Sequence, residues 1–185
     1  ASKYARENHI PFFGICLGLQ CAVIDFARHV CKLKDANSTE FMEKSKFPVI
    51  DLMSEQKKVK SKGASMRLGA YTCNVKNGTR AFNAYGQKVI DERHRHRFEV
   101  NNKFRSQMED SGLVISGENP KLNLIEMIEV ENHPWYVGVQ FHPELKSRIV
   151  KAHPLFRDFI AAALVQKSNQ DLYSDKKHKE SILQN

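Results

Sequence analysis

The five residues GICLG (14–18) constrain this chain most, because they join an apolar run to a helical pattern. The run begins at Ile10 and predicts a short buried strand over residues 10–15. Residues 17–31 follow with apolar side chains at helical spacing, which predicts one buried stripe. That stripe consists of Leu19, Ala22, Val23, Phe26, Ala27 and Val30. A strand that turns sharply through glycine into a helix is typical of an α/β sheet.

Cys16 stands at the centre of this turn, with Gly14 and Gly18 on either side. The spacing is that of a nucleophile elbow, in which a strained backbone holds the central residue above the sheet edge and flanking side chains would clash. The start of helix 17–31 should favour the thiolate over the thiol. The N–H of Leu17 can face a developing oxyanion. A buried structural cysteine is the alternative, and the five residues alone leave both open.

A second motif, VGVQFHPE (137–144), ends an apolar segment in His142, Pro143 and Glu144. Residues i and i+2 of an extended segment point to the same side, and Pro143 favours an extended backbone. Glu144 could therefore orient His142, which could take the proton of Cys16 and return it to a leaving amine. A structural histidine at a strand end is the alternative.

The rest of the chain predicts one α/β domain over residues 1–165, a length that can bury a sizeable core. Further strands are predicted at 47–53, 66–75, 93–101 and in three segments between 113 and 141, with helices at 79–86, 103–112 and 153–165. The polar segment 54–65 predicts a mobile loop. From Gln166 the hydrophobicity falls, which predicts a disordered tail over 166–185.

The formal charge is +8, and clustered lysines raise the possibility of an anionic partner such as RNA. In RHRHR (93–97) the arginines would share one strand face and the histidines the other. The four cysteines form no CxxC pair and no zinc-type cluster, so we expect no metal and a reduced, cytoplasmic setting. No apolar run is long enough to cross a membrane.

GICLGLQ with QFHPE resembles the class I, triad-type glutamine amidotransferases. Further blocks resemble the glutaminase domain of the CTP synthase family and follow its order along residues 1 to about 164. These blocks are FARHV, ANSTEF, MRLG, ERHRHRFEVNN, HPW and HPLF. The resemblance implies a three-layer α/β/α sandwich, here without its N-terminal strands and helices.

The resemblance assigns the nucleophile to Cys16 and the other triad positions to His142 and Glu144. It implies that Leu17 and Gln20 belong to the glutamine-binding turn. It also implies that Glu40 binds the substrate amino group and Arg97 the substrate carboxylate. The charges agree, because free glutamine carries one cation and one anion at its α-carbon.

The resemblance further implies that ammonia from L-glutamine passes to a separate synthase domain, where UTP is aminated to CTP with ATP and Mg²⁺. GTP is the family's activator, and the complete enzyme is expected to be a homo-oligomer, a tetramer. No cofactor and no nucleic acid are expected on this chain. Those nucleotide-binding parts are not in these 185 residues.

Two features differ from the family pattern. A glycine-rich loop that donates part of the oxyanion hole is missing, and one lost donor can slow such a reaction about 10²–10³-fold. We therefore expect this chain alone to be inactive or impaired. The segment KVKSKGASMRLG (58–69) is shorter than the family's lid, which bears on the response to GTP.

Three other functions remain open from the residues. They are another class I amidotransferase or γ-glutamyl peptidase, a non-catalytic remnant that binds a partner, and a basic RNA-binding module. RHRHRFEVNN and NSTEF argue against the first. The complete set of Cys16, His142 and Glu144 argues against the second. A steep salt dependence of RNA affinity would support the third.

Overall fold

The computed structural model describes residues 1–52 and 66–183, and for residues 170 and 172–183 it describes the backbone alone. In chain order the helices and strands are α1 (Ser2–Glu7), β1 (Phe12–Ile15), α2 (Leu17–His29), β2 (Ala36–Ser38), β3 (Phe47–Leu52), β4 (Arg67–Val75), α3 (Arg80–Tyr85), β5 (Val89–His96), β6 (Phe98–Val100), α4 (Arg105–Asp110), β7 (Leu113–Asn119), β8 (Leu124–Val130), β9 (Tyr136–Val139) and α5 (Pro154–Leu183). Short 3₁₀ helices cover Asn102–Phe104 and Pro143–Leu145.

A six-stranded sheet in the order β1-β9-β8-β7-β4-β5 forms the centre of the fold. β1 and β9 are parallel, with Ile15 opposite Val139, and the other neighbouring strands of this sheet are antiparallel. Because β1 and β9 are parallel, their carboxyl ends lie at the same edge of the sheet. The residues that follow them, Cys16 and Gln140, are therefore brought side by side.

Apolar side chains pack on both faces of this sheet, which makes three layers. On one face α2 contributes the predicted stripe, in which Leu19, Val23 and Ala27 are fully buried and Val30 is half-buried. On the other face Ala81 of α3 and Leu155 of α5 join a second cluster. The predicted α/β sandwich is thus the observed architecture.

A second sheet of three strands, in the order β2-β3-β6, covers the outer side of α2. Its strand β2 was not predicted, since ANS (36–38) has no apolar pattern. β2 holds its place through pairing with β3, and Ser38 is fully buried. This sheet carries two of the predicted site positions, Glu40 just after β2 and Arg97 just before β6.

Most predicted elements are present, with shifted ends. The helix predicted over 103–112 is divided into a 3₁₀ turn and α4, and Gly112 follows its end with a φ of +95°. α5 begins at Pro154 as predicted but continues to Leu183, so its backbone is helical where we predicted a disordered tail over 166–185. Residues 166–183 contain neither proline nor glycine, so nothing in their sequence stops the helix. The predicted loop at 54–65 and most of the short lid lie outside the described residues.

Candidate active site

Cys16 occupies the sharp turn between β1 and α2 with φ 51° and ψ −101°, a strained conformation for a residue with a side chain. Its N–H donates to Val139 O at 2.7 Å, which ties the turn to the neighbouring strand. A Cβ on Gly14 would lie 2.7 Å from the backbone carbon of Gly18, so Gly14 must be glycine. A Cβ on Gly18 would meet nothing within 4 Å. The predicted clash is therefore confirmed at Gly14 and wrong at Gly18, where the helix start is open.

The Cys16 thiol has a raised pKa, contrary to the predicted preference for thiolate. Burial is the main cause, and the negative charges of Glu144 and Glu99 add to it. Hydrogen bonds from the Leu17 backbone and the Gln140 side chain act in the opposite direction. The helix start thus lowers the pKa as expected, but desolvation outweighs it, and the resting group is a thiol that needs a base.

His142 and Glu144 form the predicted pair. His142 Nδ1 lies 2.5 Å from Glu144 Oε1, and the His142 backbone N–H donates to Arg93 O at 2.8 Å. The predicted extended backbone is wrong, since Pro143–Leu145 forms a 3₁₀ turn that brings the two side chains together. His142 Nε2 is buried and has no hydrogen-bond partner among the described residues. A nitrogen left free in this way is available to exchange a proton.

Gln20 lies one turn into α2 and is almost fully buried, while Leu17 at the helix start is half exposed. Gln20 Nε2 donates to Phe98 O at 3.0 Å and to Gln140 Oε1 at 3.3 Å. These contacts connect the elbow helix to β6 and to the end of β9. The nitrogen of the Gln20 carboxamide is therefore already engaged within the protein.

Arg97 precedes Phe98 directly and is half-buried, and its Nε has no hydrogen-bond partner among the described residues. Glu40 is exposed, and its N–H donates to Ser38 Oγ at 3.1 Å. Arg97 is thus joined to the elbow through Phe98 and Gln20. Glu40 follows β2 of the second sheet, and the contact described for it is within its own turn.

A buried ionic cluster beside the elbow was missed by sequence reasoning. Arg67 of β4 donates to Glu99 Oε1 at 3.1 Å and to Glu126 Oε1 at 2.7 Å, and all three side chains are buried. Burial raises the pKa of Glu99 to about 8, despite the neighbouring Arg67 charge. Arg67 could have been suspected from its place in MRLG, whereas nothing in the sequence pairs it with two strands 32 and 59 residues away.

The strand RHRHR alternates as predicted over β5. Arg93 and Arg95 are exposed, while His94 and His96 are buried, with 2.8 Å between His94 Nδ1 and His96 Nε2. Burial first, and then the Arg67 charge, lower the pKa of His94 to about 2 and of His96 to about 3. Arg97 lies beyond the strand end and so leaves the arginine face that the alternation predicted.

Two absences among the described residues bear on other functions. Among the side chains that the structure describes, in residues 1–52, 66–169 and 171, no group of His, Cys, Asp or Glu could hold a metal ion. No helix in the same ranges is long and apolar enough to cross a membrane.

Comparison with known proteins identifies the family. The model of the glutamine amidotransferase class-I family matches residues 1–162. The chain belongs to the class I glutamine amidotransferase family. This match covers β1 and β9 and the residues that follow them, so the elbow and the His-Pro-Glu turn lie inside the amidotransferase domain.

CTP synthases are among the curated proteins similar to this chain. The chain is 62% identical over 161 residues to that of Chlorobium phaeobacteroides and 60% identical over 161 residues to that of Chlorobaculum tepidum. Each match covers 87% of this chain and 28% of the relative, so the chain spans little more than a quarter of those proteins.

Solved structures give the same fold. The glutaminase domain of Trypanosoma brucei CTPS with bound acivicin matches with a TM-score of 0.83 and 34% identity, over 88% of this chain and 63% of that one. A GMP synthase subunit from Thermoplasma acidophilum, described as putative, matches over 92% of this chain and 65% of that one with a TM-score of 0.56 and 18% identity, which supports the fold alone. The predicted class I amidotransferase architecture is confirmed.

Proposed function

We propose that this chain is the glutaminase part of a CTP synthase. It hydrolyses L-glutamine to glutamate and ammonia, and the ammonia serves the ATP-dependent amination of UTP to CTP in a synthase domain of the longer enzyme. The identity to CTP synthases of 60% or more supports UTP as the acceptor of the ammonia over the acceptors of other class I amidotransferases. The three blocks NSTEF, MRLG and RHRHRFEVNN, which are typical of that family, lie within the matched length.

One observation carries the proposal. A strained cysteine follows β1, and a histidine that is hydrogen-bonded to Glu144 and has a free ring nitrogen follows the parallel strand β9. A structural cysteine would gain nothing from a positive φ of 51°. Both residues follow neighbouring parallel strands at one edge of the sheet, a placement from which a thiol nucleophile and its general base can meet.

The catalytic steps follow from this arrangement. His142 takes the proton of Cys16, and the thiolate attacks the carboxamide carbon of glutamine. The N–H of Leu17 faces the oxyanion that forms. The protonated His142, held by Glu144, returns its proton to the leaving ammonia, and a thioester remains. Water that gives its proton to His142 then attacks the thioester, releases glutamate and restores the thiol.

Charged groups on two different elements would hold the substrate. Glu40 would bind the α-amino group, and the partly buried Arg97 would bind the α-carboxylate, for which its unpartnered Nε is suited. Leu17 and Gln20 would line the turn beside the reacting carboxamide. The opposite signs of Glu40 and Arg97 select a free amino acid over a peptide-linked glutamine.

The complete enzyme would bind ATP, Mg²⁺ and UTP in its synthase domain, with GTP as activator, and would assemble as a homo-tetramer. These partners rest on the similarity to CTP synthases. We expect no membrane and no nucleic acid among them, and a cytoplasmic location. The glutaminase part itself needs no metal or cofactor, since the proposed steps use side chains and water only.

A glutamine-analogue affinity label tests the proposal. We expect acivicin to label Cys16 in the full chain and excess glutamine to block the adduct, because the label must occupy the substrate pocket. Peptide mass spectrometry locates the adduct. Cys21, which is exposed on the same helix, is the matched control thiol and should stay unlabelled.

Labelling and turnover should differ in this experiment. Labelling needs the thiol and the pocket, whereas turnover also needs the full oxyanion hole, so we expect the 185-residue chain to hydrolyse glutamine slowly. Equal labelling of all four cysteines, or labelling that glutamine does not reduce, would contradict the proposed glutaminase. It would favour a non-catalytic remnant that binds a partner.

A further inference from the structure

The side-chain carboxamide of Gln140 forms a hydrogen bond to the Cys16 sulfur. Gln140 Nε2 donates to Cys16 Sγ at 3.7 Å, within the range of hydrogen bonds to sulfur. Gln140 is fully buried, and its backbone N–H donates to Glu126 O at 2.8 Å. Its main chain and its side chain are therefore both held at the end of β9.

The direction of this amide is fixed by a chain of contacts that begins at a backbone carbonyl. Phe98 O can only accept a hydrogen bond, so the Gln20 nitrogen must face it. The same Gln20 nitrogen donates to Gln140 Oε1 at 3.3 Å, so the oxygen of Gln140 must face Gln20. The Gln140 nitrogen is left to face the thiol. A carboxamide turned the other way would place two oxygen or two nitrogen atoms against each other.

We propose that Gln140 is a positioning residue for the nucleophile: its carboxamide, locked by Gln20 and Phe98, donates a hydrogen bond that holds the Cys16 sulfur and stabilises its thiolate. The proposal rests on the glutaminase function, in which Cys16 must become a thiolate. It adds a residue that the Cys16, His142 and Glu144 triad does not include.

The electrostatics of the elbow explain why such a donor is needed. Burial and the carboxylates of Glu144 and Glu99 all disfavour a negative charge on Cys16. Against these act the Leu17 backbone N–H and Gln140. The Leu17 N–H must also face the substrate oxyanion, whereas Gln140 comes from β9 and can stay on the sulfur throughout the reaction.

The contacts also connect substrate binding to the nucleophile. Arg97, the proposed carboxylate ligand, is bonded along the chain to Phe98, whose carbonyl fixes Gln20. A movement of the β6 start on substrate binding would therefore reach the thiol through two buried amides. The two carboxamides lie on separate elements, Gln20 on α2 and Gln140 at the end of β9. The sequence alone therefore does not predict that they contact each other.

The test measures the pH dependence of Cys16 alkylation by iodoacetamide in the full chain. The Gln140→Met change keeps the length of the side chain and removes the donor. We expect the apparent pKa of Cys16 to rise by about one pH unit, and alkylation at neutral pH to slow about tenfold, since a hydrogen bond to a charged group is lost. The readout needs no glutamine, so it stands even where the proposed glutaminase function fails.

Two thiols in the same molecule serve as controls. Cys21 is exposed, and its alkylation should not change. Cys73 is fully buried, and its protection reports that the variant is folded. The Gln87→Met variant makes the same substitution at an exposed position and should match the wild type. If Gln140→Met exposes Cys73, the Gln140→Glu variant is used in its place. Glutamate keeps an acceptor for Gln20 and removes the amide donor, so we expect it to raise the pKa of Cys16 as well.

Activity provides a second readout that a packing role would not move. For the complete enzyme we expect kcat for glutamine hydrolysis to fall in Gln140→Met and to recover in part as pH rises, with KM for glutamine little changed. Recovery follows because a higher pH restores the thiolate. A folded variant whose alkylation profile matches the wild type would overturn the proposal.

Discussion

At the scale of single residues, the elbow depends on one glycine more than on the other. Cys16 has a positive φ, and Gly14 is the residue that lets the helix start approach the strand. Symmetry of the motif suggested that both glycines were needed for the same reason. The structure separates them, because a side chain on Gly14 would overlap the backbone of Gly18, whereas a side chain on Gly18 would enter open space.

We therefore expect alanine to affect the free energy of unfolding differently at Gly14 and at Gly18. Gly14→Ala should lower the free energy of unfolding by about 1–3 kcal/mol, because its Cβ would overlap the Gly18 backbone. Gly18→Ala should leave it unchanged or raise it slightly, since alanine is the better helix former and the space is open. Urea unfolding of both variants measures the difference. Equal losses would contradict the geometry of the turn.

At the scale of elements, β5 divides its charge between two faces. Its arginines face solvent, and His94 and His96 are buried beside Arg67. Their lowered pKa values mean that the folded state keeps both rings neutral while the unfolded chain takes up protons below about pH 6.5. At these two histidines the unfolded state then binds more protons than the folded state, so their contribution to stability falls as the pH drops.

This difference predicts an acid-sensitive strand. Between about pH 6 and pH 4, each buried histidine should remove up to about 1.4 kcal/mol of unfolding free energy per pH unit. His94→Gln should therefore reduce the pH dependence by about that amount, as measured by urea unfolding at pH 6 and pH 4. Arg95→Gln, on the exposed face of the same strand, leaves both buried histidines in place and should keep the wild-type dependence. An unchanged slope in His94→Gln would mean that His94 is not held neutral by burial.

At the scale of the whole molecule, the topology of the six-stranded sheet determines which residues meet at the candidate active site. In the six-stranded sheet β1 and β9 are the parallel pair, and the proposed nucleophile Cys16 and the proposed general base His142 follow these two strands. The chain spans 28% of the CTP synthases that it resembles, so the proposed ammonia acceptor lies elsewhere in such an enzyme. Hydrolysis and amination would therefore be separable by mutation.

That separation gives a prediction for the complete enzyme. Cys16→Ala should abolish CTP synthesis from glutamine, because no thioester can form, and should leave synthesis from free ammonia near the wild-type rate. Steady-state rates with each nitrogen donor measure both. Wild-type protein treated with acivicin is the matched control. Like Cys16→Ala, it should lose CTP synthesis from glutamine and keep synthesis from free ammonia. Equal loss with both donors would show that Cys16 is structural.

The sequence paired His142 with Glu144, although a 3₁₀ turn rather than the predicted extended backbone brings them together. Local patterns in the sequence were sufficient for the elbow, for the helix stripe of α2 and for the alternation of β5. Each of these depends on residues close together along the chain, where helix and strand periodicity fixes which side chains share a face. The resemblance in short motifs was sufficient to predict the amidotransferase family.

Tertiary structure alone decided the rest. Arg67 meets Glu99 and Glu126, and Gln140 meets Cys16 across 124 residues, through strand neighbours that no local pattern specifies. The sign of the Cys16 pKa shift was decided in the same way. The sequence places a helix start beside the thiol, which favours the thiolate, but only the folded chain removes the water around it and brings the Glu144 and Glu99 charges close.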